Sequence, residues 1–80
     1  MKVDVLLPQW GMGMSEGLIV QWHKKVGDTV AEGDIIAEVE TEKAAQELEA
    51  PADGVLTEIK VGENERAKVR TVIAIIESDD

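Results

Sequence analysis

Hydrophobic positions along the chain fall into short runs that alternate with polar positions, and Gly, Asp and Pro separate the runs. No stretch keeps an apolar helical period for long, so the pattern predicts an all-β domain. Strands that recur roughly every eight to twelve residues are typical of a sandwich or a flattened barrel. The predicted strands are residues 2–7, 17–22, 34–41, 44–50, 54–61 and 72–77, with brief pairing near 29–30 and 67–68.

A second regularity is an internal repeat, because a shift of 37 positions lays residues 17–22 over 54–59 and residues 35–40 over 72–77. The apolar positions keep their phase across both matches, which indicates two similar halves related by a pseudo-twofold axis. The match weakens in the turns, where Gly27 falls on Asn64 and Gly33 falls on Arg70. Asn adopts a left-handed backbone at low cost, whereas we expect Arg70 to require a differently built turn.

The two halves differ most at segment 40–44 (Glu-Thr-Glu-Lys-Ala), which separates two predicted strands. If Glu42 and Lys43 are the central residues of a tight hairpin, one face of the two arms is almost entirely apolar. The cross-strand pairs on that face are Thr41 with Ala44, Val39 with Gln46, Ala37 with Leu48, and Ile35 with Ala50. The pairs on the opposite, negatively charged face are Glu40 with Ala45, Glu38 with Glu47, and Ile36 with Glu49. Because the turn contains no Gly or Asn-Gly, we expect an unprimed turn of type I.

Length and charge limit the classes of function. A chain of 80 residues is too short for two hydrophobic cores or a large enclosed active site. Its 17 acidic and 8 basic residues give a net charge of -9, which disfavours nucleic acid and anionic membranes and favours a basic protein partner. The absence of Cys and the single His exclude disulfides and thiolate or histidine-rich metal sites. Short apolar runs and an opening without a targeting pattern predict a cytoplasmic protein.

Lys43 is predicted to lie at the apex of the protruding hairpin, between an acid and two alanines that are too small to shield it. An ordinary solvated turn lysine is the alternative interpretation. The apex position, the small neighbours and the broken repeat favour a functional lysine. No Cys, Ser-His pair or second His accompanies it, so we expect a non-catalytic module and not an enzyme.

The same residues carry a resemblance that extends over essentially the whole chain. Segments 40–44 and 49–54 (Glu-Ala-Pro-Ala-Asp-Gly) resemble the lipoyl domains of dihydrolipoamide acyltransferases, in which the lysine of a Glu-Thr-Asp-Lys-Ala motif is lipoylated. Segment 8–17 is similar to that family's Pro-x-x-Gly...Met-x-Glu-Gly loop, and segment 26–34 to its Gly-Asp-x-Val-x-x-Gly-Asp turn. The resemblance assigns residues 1–77 to a lipoyl domain and leaves 78–80 as an acidic tail or the start of a linker.

This resemblance implies two four-stranded antiparallel sheets in a flattened barrel, with lipoic acid joined to Lys43 by an amide. In such domains the lipoyl arm takes acyl groups from a thiamine diphosphate enzyme and passes them to coenzyme A at the acyltransferase catalytic domain. A dihydrolipoamide dehydrogenase then reoxidises the arm, and a lipoate-protein ligase attaches it. The implied parent is an acyltransferase component of a 2-oxo acid or acetoin dehydrogenase complex, and the isolated domain is expected to be a monomer.

Further site residues follow from the resemblance. Recognition of the hairpin by the modifying enzyme or a partner is implied for Glu40, Glu42, Ala44, Trp10, Met12 and Met14. For the three residues of the loop, the alternative is that their soft side chains cap one end of the core. Gly33 and Gly54 are interpreted as backbone devices that shape the ends of the hairpin, not as ligand contacts.

The chain departs from the family pattern at three positions. Glu42 replaces the usual Asp, Gln46 stands where the family is usually apolar, and Arg70 replaces a usual Gly. Two rival interpretations stay open: a biotinyl carrier, whose motif has Met on both sides of the lysine, and an unmodified structural domain of the same shape. Segment 8–12 (Pro-Gln-Trp-Gly-Met) resembles acetoin dehydrogenase acyltransferases more than the Gly-Glu version of the loop that is common elsewhere in the family, although one tryptophan does not identify the substrate.

Overall fold

A computed structural model describes residues 1–78, and these residues form eight strands and no helix. Within that range, therefore, nothing helical is long and apolar enough to cross a membrane. The all-β prediction is confirmed, and the observed strands begin or end within two residues of the predicted ones. They are β1 (Lys2–Leu6), β2 (Glu16–Trp22), β3 (Thr29–Val30), β4 (Ile35–Glu40), β5 (Ala45–Glu49), β6 (Gly54–Ile59), β7 (Arg66–Lys68) and β8 (Val72–Glu77).

The strands form two four-stranded antiparallel sheets, one in the order β1-β8-β6-β3 and the other in the order β5-β4-β2-β7. One hydrophobic core fills the space between them, and its largest fully buried side chains come from both sheets. They are Leu7, Ile19, Ile36, Leu56, Ile73, Ile76, Val5 and Val39. Two four-stranded sheets over one core confirm the predicted architecture, and the molecule measures 35 × 20 × 18 Å.

The strand pairings repeat with the predicted shift of 37 positions, which confirms the pseudo-twofold relation. Leu18 pairs with Glu40 in one half and Val55 with Glu77 in the other. Each ladder also contains a bulge, in which one residue has no partner on the opposite strand. The unpaired residues are Val20 in β2 and Thr57 in β6. Because such a bulge interrupts the alternation of side chains, its recurrence at equivalent positions shows that the two halves share their detailed geometry.

The turn at Arg70 contradicts the expectation of a different construction. Arg70 adopts a left-handed backbone (φ 66°), as Gly33 does at the equivalent position (φ 91°). The Arg70 N–H donates to Leu7 O at 2.7 Å, and the Gly33 N–H donates to Ala50 O at 3.0 Å. This matching hydrogen bond holds a conformation that costs a non-glycine residue about 1 to 3 kcal/mol. Asn64 (φ 67°) adopts the same left-handed backbone as its equivalent, Gly27 (φ 101°), as expected.

The β4–β5 hairpin has the predicted register near its tip and a different one near its base. Val39 pairs with Gln46 and Glu38 with Glu47 as predicted, but Ile35 pairs with Glu49 and not with Ala50. A bulge at Ile36 causes the shift, and the Ile36 side chain is fully buried instead of facing solvent opposite Glu49. The bulge allows Ile36 and Ala37, which are consecutive, to enter the core together. The prediction for Ile36 was therefore wrong.

The chain ends lie side by side in the other sheet. The Met1 amino group donates to Ser78 O at 2.9 Å, and the Ser78 N–H donates to Met1 O at 2.8 Å. These bonds extend the β1–β8 ladder by one residue pair. Asp79 and Asp80, which belong to the predicted acidic tail, lie outside the described residues.

Candidate site of lysine modification

The tip of the β4–β5 hairpin is organised by the hydroxyl group of Thr41. This hydroxyl donates to Ala44 O at 2.8 Å and accepts from Ala44 N–H at 3.2 Å. Thr41 N–H also donates to Ala44 O, at 2.9 Å. Within residues 1–78 the non-glycine residues with positive φ are Asn64 and Arg70, so Glu42 and Lys43 form an unprimed turn, as predicted.

Lys43 projects from this turn into solvent. The side chain is exposed, as are those of its neighbours Glu42, Ala44 and Ala45. No hydrogen bond or ion pair engages Lys43 Nζ in the part of the chain that the structure describes. A primary amine without a partner at a narrow apex is accessible to the active site of another enzyme, and no rearrangement of this domain is needed to expose it.

Carboxylates dominate the outer face behind the lysine turn. Glu38 lies opposite Glu47, a like-charge pair that costs a few tenths of a kcal/mol in a sheet. His23 Nε2 lies 3.2 Å from Glu38 Oε1 and offsets part of this repulsion whenever the imidazole is protonated. The predicted recognition residue Glu40 is exposed on the same face. The surface therefore presents negative charge to any approaching partner.

The loop between β1 and β2 lies directly beside the lysine turn. Trp10 and Met14 are half-buried and pack against the core, whereas Met12 is 94% exposed. Between the loop and the turn is a cleft of about 90 Å³, and it is lined by Trp10, Gly11, Met12, Met14, Thr41, Glu42, Lys43 and Gln46. Trp10 and Met14 thus take the core-capping role that was the alternative for them. A recognition role for the three residues stays a prediction.

The two glycines predicted to shape the hairpin are favoured for different reasons. Gly33 has a φ of 91° that favours glycine, and its N–H donates to Ala50 at the end of the hairpin. A Cβ atom on Gly54 would collide with the carbonyl oxygen of Glu77 and lie 2.8 Å from Ile76 Cγ2. The backbone conformation at position 33 therefore favours glycine, whereas the collision at position 54 excludes any side chain.

Sequence reasoning missed two residues of this site. Thr41 was interpreted as a strand residue. The available signal was its place beside a tight turn, where the hydroxyl group of a Ser or Thr commonly forms hydrogen bonds with the backbone of the turn. Gln46 was read as an irregular member of the apolar face, and it lies in the wall of the cleft. Residues 1–78 contain no group of His, Asp and Glu side chains that could hold a metal ion.

Comparison with known proteins decides the family. The Biotin_lipoyl family (Biotin-requiring enzyme) matches residues 3–76. The chain belongs to the biotin/lipoyl-attachment family. The solved lipoyl domain of the 2-oxoglutarate dehydrogenase complex from Azotobacter vinelandii superposes with a TM-score of 0.78 at 28% identity, and the match covers 98% of this chain and 99% of that one. The expected resemblance to lipoyl domains is confirmed.

Two curated relatives of this biotin/lipoyl-attachment domain are bacterial acetyltransferase components. One belongs to the acetoin cleaving system of Bacillus subtilis, with 45% identity over 95% of this chain. The other belongs to the pyruvate dehydrogenase complex of Staphylococcus aureus, with 40% identity over 100% of this chain. The chain spans 19% of the length of each, so it corresponds to one carrier domain within such proteins.

Proposed function

We propose that this domain is a lipoyl carrier in which Lys43 bears lipoic acid through an amide bond. The observation that carries the proposal is the unpartnered amine of Lys43 at the hairpin apex of a lipoyl-domain fold. The residues present fit the group, because the lysine is accessible and nothing in residues 1–78 competes for its Nζ. When bound, the lipoyl group supplies a disulfide that accepts an acyl group together with two electrons and later gives both up.

The domain contributes position, and its residues take no chemical part in the transfer. Thr41 holds the turn, and the two sheets hold the hairpin, so that the attachment point is rigid while the arm beyond it moves. A tethered group visits neighbouring active sites at a high effective concentration, which a free cofactor would not reach. The small size of the domain suits a module that must travel between those sites.

The partners follow from the relatives. Both are named as acetyltransferase components, which supports an acetyl group as the cargo and an acetoin or pyruvate dehydrogenase complex as the assembly. The proposed partners are a thiamine diphosphate-dependent dehydrogenase component, an acyltransferase catalytic domain, dihydrolipoamide dehydrogenase and a lipoate-protein ligase. Glu40, Glu42 and Ala44 are the proposed recognition residues, since they flank Lys43 and are exposed. A cytoplasmic location and a monomeric state stay predictions.

Intact-mass spectrometry tests the proposal. The domain is incubated with a lipoate-protein ligase, ATP and lipoate, and in parallel with a biotin-protein ligase and biotin. We expect one lipoyl addition per chain and no biotinyl addition. Lys43→Arg should abolish the addition completely, whereas Lys25→Arg, at another exposed turn lysine, should leave it unchanged.

Three results would overturn the assignment. Lipoyl addition that survives Lys43→Arg would place the attachment site on another lysine. Biotinyl addition without lipoyl addition would identify the domain as the biotinyl carrier that sequence reasoning left open. Failure of both ligases on a folded chain would favour the unmodified structural domain.

A further inference from the structure

The cleft beside the lysine turn has an apolar wall that the carrier role alone does not require. Trp10, Met12 and Met14 contribute a large aromatic ring and two thioethers to its lining. Lys43 itself forms part of the opposite wall. A flexible group attached at Lys43 Nζ can therefore fold back into the cleft without any movement of the backbone.

The size and chemistry of the cleft suit a small sulfur-containing ring. An engineered apolar cavity of about 150 Å³ encloses a benzene ring, and a five-membered ring with two sulfur atoms is of similar size. An open cleft of about 90 Å³ can therefore cover one side of such a ring while the other side stays in solvent. Sulfur makes favourable contacts with aromatic rings, and Met side chains adapt their shape to an apolar ligand. Both kinds of contact are available at Trp10 and the two methionines.

The walls of the cleft are held in place before any ligand arrives. Trp10 and Met14 pack against the core, and Met14 N–H donates to Gly11 O at 3.2 Å across the loop. On the other wall, Thr41 fixes the turn through its hydroxyl group. The entropic cost of binding would thus fall mainly on the arm itself and on the exposed Met12 side chain, and little on the rest of the domain.

Met12 is the member of the cleft that the fold does not explain. It is 94% exposed, so it adds nothing to the core, yet it borders the cleft. Exposed apolar side chains at the rim of a concave apolar surface are typical of binding sites.

We propose that the cleft formed by Trp10, Met12 and Met14 binds the dithiolane ring of lipoyl-Lys43 while the domain travels between active sites. The inference rests on the proposed function and deepens it, because it assigns a reversible docked state to the arm. Docking needs no covalent change in the ring or the protein. Tethering makes it effective even when the intrinsic affinity is weak, since the ring never leaves the neighbourhood of the cleft.

The two tryptophans of the chain provide a built-in test by NMR. Trp10 lines the cleft, whereas Trp22 lies at the far end of β2, where its Nε1–H donates to Val61 O at 2.9 Å. Lipoylation, first verified by intact mass, should shift the indole N–H signal of Trp10 and the methyl signals of Met12 and Met14. The Trp22 indole signal should not move. Lys43→Gln, which removes the charge without adding an arm, should leave the Trp10 signal close to that of the unmodified domain.

Substitution of Met12 separates docking from a change in the fold. Met12→Ala should reduce the lipoylation-dependent shift at Trp10 and leave the melting temperature unchanged, because the Met12 side chain packs against nothing in the core. Val26→Ala is the matched control, since Val26 is 58% exposed in the turn after β2. It should leave the shift intact.

Reduction of the ring by a small dithiol provides an independent readout. If the ring is docked about two-thirds of the time, reduction should be about threefold slower than for lipoamide free in solution, and Met12→Ala should abolish most of that difference. A fully lipoylated domain whose Trp10 signal does not move, or moves together with Trp22, overturns the docking proposal and leaves the carrier function intact. Absence of lipoylation overturns the carrier function itself.

Discussion

The β4–β5 hairpin and the β8–β1 ladder are equivalent pairs of strands in the two halves of the molecule. Each contains a bulge at the same position, Ile36 in one and Ile73 in the other. Each also buries that isoleucine together with the alanine that follows it. The backbone requirements of the two regions are therefore the same, and any difference in their outward residues has another origin.

The outward residues differ in charge. In the β8–β1 ladder, Lys2 lies opposite Glu77, which is a favourable pair. In the hairpin, Ala45 occupies the place of that lysine opposite Glu40. The next pair outside the core is Asp4 with Ile75 in the ladder and Glu38 with Glu47 in the hairpin. The hairpin thus accumulates the negative charge that the ladder balances or dilutes.

The ends of the two regions differ as well. Backbone bonds between Met1 and Ser78 close the ladder, whereas the hydroxyl network of Thr41 closes the hairpin and leaves Lys43 at its apex. The comparison teaches that charge concentration and an unpartnered lysine are not needed to build this half of the fold, because the other half is built without them. Under the proposed function they serve what the hairpin presents to other proteins.

The largest expected effect on stability is a difference between two equivalent glycines, Gly17 at the start of β2 and Gly54 at the start of β6. An added Cβ on Gly54 meets the backbone of Glu77, while one on Gly17 meets a side-chain atom, Val39 Cγ1, at 2.7 Å. The buried Val39 side chain can shift at some cost, whereas the paired backbone of Glu77 cannot. Gly54→Ala should lower the free energy of unfolding by about 3 kcal/mol and Gly17→Ala by about 1 kcal/mol in urea titrations. Equal losses would contradict the account of Gly54.

A smaller effect is expected at the turn. Thr41→Val keeps the shape of the side chain but removes its hydrogen bonds to Ala44, so it should destabilise the domain by about 1 kcal/mol and slow lipoylation. Thr57→Val is the control in the other half, where the hydroxyl makes a single bond to Ile75 O at 3.2 Å. It should leave the rate of lipoylation unchanged. If Thr41→Val and Thr57→Val were both lipoylated at the rate of the parent, the Thr41 hydroxyl would have no role in presenting Lys43.

The smallest effect concerns the like-charge pair. Glu47→Gln removes the repulsion with Glu38 and should raise the free energy of unfolding by about 0.3 kcal/mol. Asp4→Asn, at the equivalent position opposite Ile75, should change it by less. Thermal melts in low salt and in about 1 M salt provide the check, because a Debye length of about 3 Å screens the repulsion. A gain that persists in high salt would have to come from a cause other than charge.

Much of the fold could be predicted from sequence because its signals are local. Alternating apolar positions locate the strands, and the repeat relates the two halves. The tip of the hairpin follows from the polar residues between the arms, so Lys43 could be placed at the apex. The bulge at Ile36 could not be predicted, because Ile35 and Ile36 are both apolar and a period of two cannot decide which of them enters the core.

Other features depend on contacts that are distant in sequence. The left-handed backbone of Arg70 is supported by a hydrogen bond from its N–H to Leu7 O, 63 residues away, and the residue type itself argued against that conformation. The cleft exists because the β1–β2 loop lies against a turn that is about thirty residues further along. The types of residue in the loop suggested that it had a role, but its position beside Gln46 and Thr41 required the structure.

Peptide mapping by mass spectrometry after exhaustive lipoylation tests the central claim most directly. The chain carries six lysines that compete in one reaction, and Lys2 belongs to the ladder that is equivalent to the hairpin. We predict a lipoyl group on the peptide that contains Lys43 and on no other. A lipoyl group on Lys2, or one spread over several lysines, would contradict the claim that the hairpin apex selects the site.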